Sequence, residues 1–314
     1  MSIPVGISAC VLGEKVRFDG GHKRNRFVTD ELAKFVQFRP VCPEMAIGLP
    51  VPRPTIRLVQ QDNGERLVDS KGGELDFTDK MKSFADQHIS AIQSLCGFVV
   101  CAKSPTCGME RVKLYIPNGN TVPGGTVGVF TKQLMAAMPW LPVEEDGRLQ
   151  DPVLRENFVF RIYALHDFYQ NVGNSLTLDA FVKFHSRYKF VLMAHSPTAY
   201  REMGRLVAGI KDWDLAEFFV EYRQQFMHAL SKHARRSNNT NVLMHLQGYF
   251  KRNLTREQKQ ELLDLIESYR LGHQPILVPL ALIKHYLKEY PDPYLQLQTF
   301  LNPYPEELKL RYGL

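Results

Sequence analysis

Apolar and polar positions follow two different rhythms along this chain. Up to residue 145, short apolar runs alternate with stretches of helical spacing. Residues 3–9 (IPVGISA), 38–42 (FRPVC) and 97–101 (GFVVC) are largely apolar runs of strand length, as buried strands of a parallel sheet would be. Residues 55–60 and 65–70 flank Asp62-Asn63-Gly64, a hairpin signal. Helical spacing is predicted near 29–37, 76–95 and 127–137. In the second of these, Asp76 or Thr78 is the expected N-cap, and Phe84, Ile89, Ile92 and Leu95 are expected to face inward. A Gly/Pro loop covers 117–125. Strands alternating with helices imply an α/β layer built on a mostly parallel sheet.

After Pro142 the rhythm changes. Glu144-Glu145-Asp146-Gly147 reads as a polar break and a linker. From 153 onward only helical periodicity is present, in eight segments: 153–170, 177–194, 197–210, 214–231, 239–253, 256–271, 276–289 and 293–311. Ser196-Pro197, Gly272, Pro275, Pro291, Pro293, Pro303 and Pro305 punctuate them. The expected organisation is an α/β N-terminal domain with a mostly parallel sheet over 1–145, followed by an all-α C-terminal domain over 150–314. There is no internal repeat.

Composition narrows the class. An apolar fraction of 44% and a charged fraction of 23% over 314 residues are ordinary for a folded protein with sizeable cores. No run of about 18 apolar residues exists, so no transmembrane helix is expected. The start lacks the basic and long apolar regions of a secretory signal. Five scattered cysteines are too few for a disulfide scaffold. Together these features predict a cytoplasmic protein with reduced thiols. The net charge of +6 is concentrated. Residues 231–260 hold seven basic residues and one acid, Glu257, so the remainder of the chain is neutral in sum. Such a segment is either a solvated helical face or the footprint of a polyanion.

The candidate chemistry lies at strand ends, where open α/β sheets gather functional groups. Three loops begin there and each carries a cysteine: Ser8-Ala9-Cys10, Cys42-Pro43-Glu44 and Ser104-Pro105-Thr106-Cys107-Gly108. If the three strands are neighbours, the sulfurs converge. Their separations of 32 and 65 residues match no zinc knuckle and no ferredoxin run. Three thiolates alone suit a soft metal site with an open position, or a zinc ion completed by His22. Gly108 would permit close backbone approach to a bulky ligand. Cys96 and Cys101 read as small buried hydrophobes.

Three stretches resemble the thiouracil desulfidases, a family once catalogued only as a domain of unknown function. They are ISACVLGEKVRFDGGHK (7–23), VCPEMAIGLPVPR (41–53) and AKSPTCGM (102–109), and the likeness spans about 1–145. The resemblance implies a [4Fe-4S] cluster held by Cys10, Cys42 and Cys107, its fourth iron lacking a protein ligand. It also implies catalytic roles for Glu44 and Ser104. Thr106 departs from the family's usual Ser and keeps a hydroxyl, and Cys101 stands where a Lys is more usual. In the second half, FHSRYKFVLMAHSP (184–197), NVLMHLQGYFK (241–251) and LVPLALIKHYL (277–287) look like the helical domain often fused to this one. Such fusions are associated with removing sulfur from 4-thiouridine in tRNA, so tRNA is the implied partner.

This chemistry suits these residues. An iron with an open site is thiophilic and polarises a C–S bond, while Glu44 moves protons and Ser104 donates a hydrogen bond. Arg17, Asp19 and Lys103 are candidate substrate contacts, although VRFDGG could equally be a structural turn and Lys103 a solvated side chain. Basic residues interleaved with aromatics supply a platform for RNA phosphates and bases. Arg187, Lys189, Arg235, Arg236, Lys251, Arg252 and Arg256 are the candidates, with Arg201 and Arg205 beside them. His166, His185 and His245 read as packing residues. Two other readings stay open: desulfuration of free thiouracil or a thiolated nucleotide, and a non-catalytic nucleic-acid-binding protein with structural zinc or a redox-sensing cluster.

Overall fold

The computed structural model describes residues 2–71 and 75–311, which divide into two compact units, Met1–Leu154 and Arg155–Leu314. In the first unit, β1 (Ile3–Ser8) leads into a single turn, α1 (Ala9–Leu12). A π-helical turn at Phe27–Glu31 and a 3-10 turn at Leu32–Lys34 follow, where an amphipathic helix near 29–37 was expected. The chain continues through β2 (Val36–Val41), α2 (Pro43–Ala46), β3 (Ile56–Gln61), β4 (Gly64–Asp69), α3 (Thr78–Ala91), β5 (Gly97–Val100), β6 (Leu114–Tyr115), α4 (Val129–Ala137) and β7 (Val143–Glu145).

Four strands form one sheet in the order β2-β1-β5-β7, and every pair in it is parallel. Val5, Ile7, Phe98, Val99 and Val100 are fully buried, which is why their runs are continuously apolar rather than alternating. Helices α3 and α4 pack on each other through Phe84 and Phe130, and Phe130 also meets Phe98 of β5. A smaller sheet, β4-β3-β6, contains the expected hairpin, with Gln61 paired to Gly64 across the turn. At the start of α3 the Asp76 carboxylate accepts from Thr78 N–H at 2.8 Å, while Thr78 Oγ1 accepts from Leu67 N–H at 2.8 Å.

The second unit is helical: α5 (Pro152–Phe168, which begins in the first unit), α6 (Leu178–Arg187), α7 (Lys189–His195), α8 (Pro197–Ala208), α9 (Leu215–Ser231), α10 (Arg236–Tyr249), α11 (Arg256–Arg270), α12 (Leu277–Glu289) and α13 (Pro293–Gln296). Thr177, Ser196, Asp214 and Asp292 cap their helices with side-chain oxygens, and Thr255 with Gln258 forms a capping box. The core is aromatic: Phe168 contacts Phe181, Phe184, Phe219, Tyr222 and Phe226. The helix expected over 293–311 shrinks to the single turn of α13 and a 3-10 turn at Glu306–Leu308, because Pro303 and Pro305 interrupt it. Residues 312–314 of that expected terminal domain, and 72–74 in the first unit, lie outside the described residues.

A further expectation is overturned. Residues 144–147 are no linker: Val143–Glu145 is the fourth strand of the parallel sheet, and Glu144, Glu145 and Asp146 are all buried.

Candidate functional site

The strand order makes β2, β1 and β5 neighbours, so the loops leaving their carboxyl ends meet. Cys10 sits in α1 directly after β1, and Cys42 is the N-cap of α2 directly after β2. Cys107 lies in the loop after β5. All three line one cavity of about 590 Å³, together with Glu44, Ser104, Arg17 and Lys103.

Glu44 is held from two sides. The Cys42 thiol donates to its Oε2 at 3.3 Å, and the Thr106 hydroxyl donates to its Oε1. Thr106 is fully buried, and its hydroxyl oxygen lies 2.9 Å from that of Ser104. Ser104 Oγ accepts from the backbone N–H groups of Thr106 at 3.3 Å and Cys107 at 3.1 Å. These two bonds fix the position of the serine oxygen and leave its proton free to turn toward Thr106 or into the cavity. A chain of hydroxyls therefore runs from the cavity wall through Ser104 and Thr106 to the Glu44 carboxylate.

The loop owes its shape to Gly108. A Cβ there would lie 2.5 Å from Val112 Cγ2 and 2.9 Å from the Ser104 carbonyl oxygen. The close approach that Gly108 permits is thus to the loop's own backbone, with Gly108 N–H bonded to Ser104 O at 2.8 Å, and not to a ligand as expected.

The buried acids at 144–146 tie these loops down. Asp146 Oδ1 accepts from Ala102 N–H at 2.7 Å and from Lys23 Nζ at 3.2 Å, and its carbonyl accepts from Asn25 Nδ2 at 2.8 Å. Lys23 N–H in turn donates to Cys10 O at 2.8 Å. Glu145 Oε1 accepts from the N–H groups of Met109 at 2.8 Å and Glu110 at 3.3 Å. Glu145 at the end of β7 and Asp146 just after it thus anchor both the segment after the first cysteine and the loop carrying the third. The apolar run Trp140–Val143 just before the acids was the available signal for a strand ending at the site.

Burial governs the thiols. The Cys42 thiol is pushed up to about 11 by burial and by the Glu44 carboxylate. Cys107 is pushed well above the ordinary range, first by burial and then by Glu44. Cys10 is raised by its hydrogen bond with Cys101 and by burial, while Cys101 is lowered as the acceptor of that bond, helped by Lys23. Cys101 is buried, as expected, and also lines the cavity beside Cys10. Cys96 is buried away from the cavity, its thiol raised to about 12 by burial. Such thiols are weak nucleophiles, and a thiophilic cation would be needed to displace their protons.

The other candidates separate. Arg17 and Lys103 line the cavity, as do Arg53 and Phe18, which sequence reasoning missed. Arg53 donates to Val16 O at 3.0 Å and to Pro50 O at 3.3 Å. Asp19 does not line the cavity: its Oδ1 closes a turn on Gly21 N–H at 2.9 Å. His22 is exposed and outside the lining, its Nδ1 accepting from Arg24 N–H at 3.2 Å, so it completes no zinc site with the cysteines. Among the described residues no three His, Cys, Asp or Glu groups gather tightly enough for a single metal ion.

In the helical unit the basic candidates fall into two groups. Arg187 pairs with Asp167 and packs over Phe184, and Arg236 donates to Tyr269 O at 3.1 Å over the Tyr269 ring. Lys189 lies over the rings of Phe190 and Tyr294. Arg235, Lys251, Arg252 and Arg256 are exposed, as are Arg201 and Arg205. His185 is half-buried against the Tyr222 hydroxyl at 3.2 Å, whereas His245 is exposed and not a packing residue.

Comparison with known proteins adds the family. A family profile described as 2-thiouracil desulfurase matches residues 5–146, and one described as a protein of unknown function (DUF1722) matches 189–305. The chain is 42% identical over 159 residues to the uncharacterized protein YbgA of Escherichia coli (strain K12), spanning 50% of this chain and 94% of that relative. A solved structure described as the [4Fe-4S]-dependent thiouracil desulfidase TudS is 26% identical, covers 48% of this chain and 94% of its own, and superimposes with a TM-score of 0.37. Among the described residues no helix is long and apolar enough to cross a membrane.

Proposed function

The chain belongs to the 2-thiouracil desulfurase family in its first half and to the DUF1722 family in its second, and from that premise we propose that it removes sulfur from 4-thiouridine in tRNA. The observation that carries the proposal is the meeting of Cys10, Cys42, Cys107, Glu44 and Ser104 around one cavity at the ends of adjacent parallel strands. Three soft donors on three loops fit a [4Fe-4S] cluster. Arg17, Arg53 and Lys103 around them offset the negative charge of a thiolate-bound cluster.

When bound, the cluster supplies an iron with an open coordination position, a Lewis acid toward a thiocarbonyl sulfur. The protein's own groups do the rest. Glu44, oriented by Thr106, takes a proton from the water that attacks the ring carbon and returns it to the departing sulfur or the ring nitrogen. Ser104 donates a hydrogen bond to the base or the water. The C–S bond is exchanged for a C–O bond, sulfur leaves as hydrosulfide, and no electrons are exchanged overall. Acid–base help of this kind contributes about 100- to 10,000-fold.

Exposed Arg235, Lys251, Arg252 and Arg256 support tRNA as the partner, since phosphate contacts of this density give salt-dependent binding. The test uses anaerobically reconstituted protein with thiolated bulk tRNA and with free 4-thiouracil. The expected result is conversion of tRNA 4-thiouridine to uridine, lost in Cys107→Ala and in a Glu44→Ala variant that keeps its iron. Desulfuration of free base alone would replace tRNA with a small-molecule substrate. A brown protein that binds RNA and is inert on both would favour a non-catalytic binding protein.

A further inference from the structure

Four thiols line the cavity at the strand ends, those of Cys10, Cys42, Cys101 and Cys107, and the family resemblance gives a role to only three of them. Cys101 is the fourth. β1 and β5 pair in parallel with Ile7 beside Val99, and the Cys101 N–H donates to Ser8 Oγ at 3.1 Å. The next residue is held as well, Ala102 N–H donating to Asp146 at 2.7 Å. Cys101 is thus fixed at the end of β5. Ser8 directly precedes α1, whose second residue is Cys10. The two cysteines therefore stand at the ends of neighbouring strands, with their thiols hydrogen-bonded to each other. The remaining thiols have oxygen partners. Cys42 Sγ donates to Glu44 Oε2 at 3.3 Å, and Cys107 Sγ lies 3.6 Å from the Thr106 hydroxyl. Cys96 is outside the cavity, its thiol 3.9 Å from Ser94 O.

Two thiols in contact at the wall of an open cavity suit thiol–disulfide exchange. An external disulfide reaches one sulfur, and the second already lies beside it to resolve the mixed disulfide. We infer that Cys10 and Cys101 form a reversible disulfide-forming site whose co-reactant is a small-molecule disulfide of the glutathione type. The Cys101 sulfur attacks one sulfur of the external disulfide, expels one thiolate and leaves a mixed disulfide. The Cys10 sulfur then attacks the Cys101 sulfur, the Cys101–glutathione bond breaks, and the second thiolate leaves. The two thiol protons pass to the two departing thiolates. The protein gives up two electrons, the external disulfide takes them, and excess thiol reverses the exchange. In the linked state Cys10 has no thiolate to offer a metal. The site therefore makes metal loading depend on thiol redox state, a consequence that rests on the cluster reading above. A cluster already in place occupies Cys10 and blocks the exchange.

The test uses the full-length protein, both cluster-loaded and after iron has been removed with a chelator. Each form is treated with oxidised glutathione, its free thiols are alkylated, and intact mass and tryptic peptides are measured. The iron-free protein is expected to carry two alkyl groups fewer than its five free cysteines allow, with the peptide of Cys10 joined to that of Cys101. Cys96 shares the tryptic peptide of Cys101, so the mapping is repeated in Cys96→Ala, where the link should persist. The cluster-loaded protein should form no link. Iron uptake by the oxidised iron-free protein should fall about tenfold and recover on addition of a thiol reductant. Cys101→Ala should form no link and take up iron equally before and after oxidant. Cys101→Ser, which keeps the side-chain volume, serves if the alanine variant folds poorly. Full alkylation of the oxidised wild type, or a link from Cys10 to Cys42 or Cys107 instead, would overturn the site. A Cys10–Cys101 link that leaves iron uptake unchanged would keep the site and overturn the placing of the cluster on Cys10.

Discussion

Thr106 is where the catalytic proposal is most sensitive to a single atom. Its hydroxyl donates to Glu44 and meets that of Ser104, so removing it leaves a part-buried carboxylate without its best donor. Hydrogen bonds to charged groups contribute about 1.5–3 kcal/mol. Thr106→Val is therefore expected to lower kcat about 10- to 100-fold with iron content unchanged, and Thr106→Ser to retain most of it. Loss of iron in Thr106→Val would instead make Thr106 a structural residue of the cluster loop. Asp146 is the second such residue. Asp146→Ala removes the acceptor shared by the half-buried Ala102 N–H and Lys23, at a cost of about 1–3 kcal/mol. It should lower the melting temperature by several degrees and reduce iron retention. The meeting of the three cysteine loops was legible because they follow strand-like runs, whereas Glu44 and Ser104 were singled out by the resemblance to the thiouracil desulfidases. Asp146 was not, because a run of three acids before a glycine has the composition of a linker, and only the partners across the fold show otherwise.

Elements explain which local expectations failed. The buried strands β1 and β5 were legible because parallel strands covered on both faces carry no polar alternation, whereas β2, expected to be buried as well, is the edge of the sheet and leaves Gln37, Arg39 and Pro40 exposed. β7 has three residues and borrows its identity from pairing with β5, so periodicity could not find it. The loop from 101 to 113 is shaped by close backbone packing that no spacing reveals. Gly108→Ala would push a methyl group against Val112 and the Ser104 carbonyl, a clash of the kind that costs about 1–3 kcal/mol. It should lower the denaturation midpoint and the yield of reconstituted cluster together, and a variant as stable as wild type would show that the loop relaxes freely. In the helical unit, burial lowers His185 and His195 to about 4. The unfolded chain binds these protons near 6.5, so the stabilisation is fully present above that pH and is lost as pH falls toward 4. Urea denaturation followed by helical ellipticity should show a midpoint that declines across this window. His185→Phe should flatten the decline, and an identical pH profile would remove His185 as a source.

At the scale of the whole molecule, two units with different composition carry the two halves of the proposed activity. Their fold classes were legible from the change of rhythm after Pro142. The division of their surface charge was not, because Arg187 and Arg236 are committed to internal contacts that the sequence could not separate from exposed Lys251, Arg252 and Arg256. Lys251→Glu/Arg252→Glu/Arg256→Glu should weaken tRNA binding about 10-fold or more at moderate salt and reduce the salt slope, while Arg187→Gln affects folding more than binding. Equal salt slopes for wild type and the triple variant would move the RNA contacts elsewhere. The proposed reaction is hydrolysis of a C–S bond without electron transfer, by a cluster held on Cys10, Cys42 and Cys107. Its most direct test is an anaerobic reaction of reconstituted protein with thiolated tRNA and no added reductant, counting uridine and sulfide. Equal amounts of both are expected over many turnovers, and none from Cys42→Ala. A requirement for a reductant, or turnover by the iron-free protein, would contradict it.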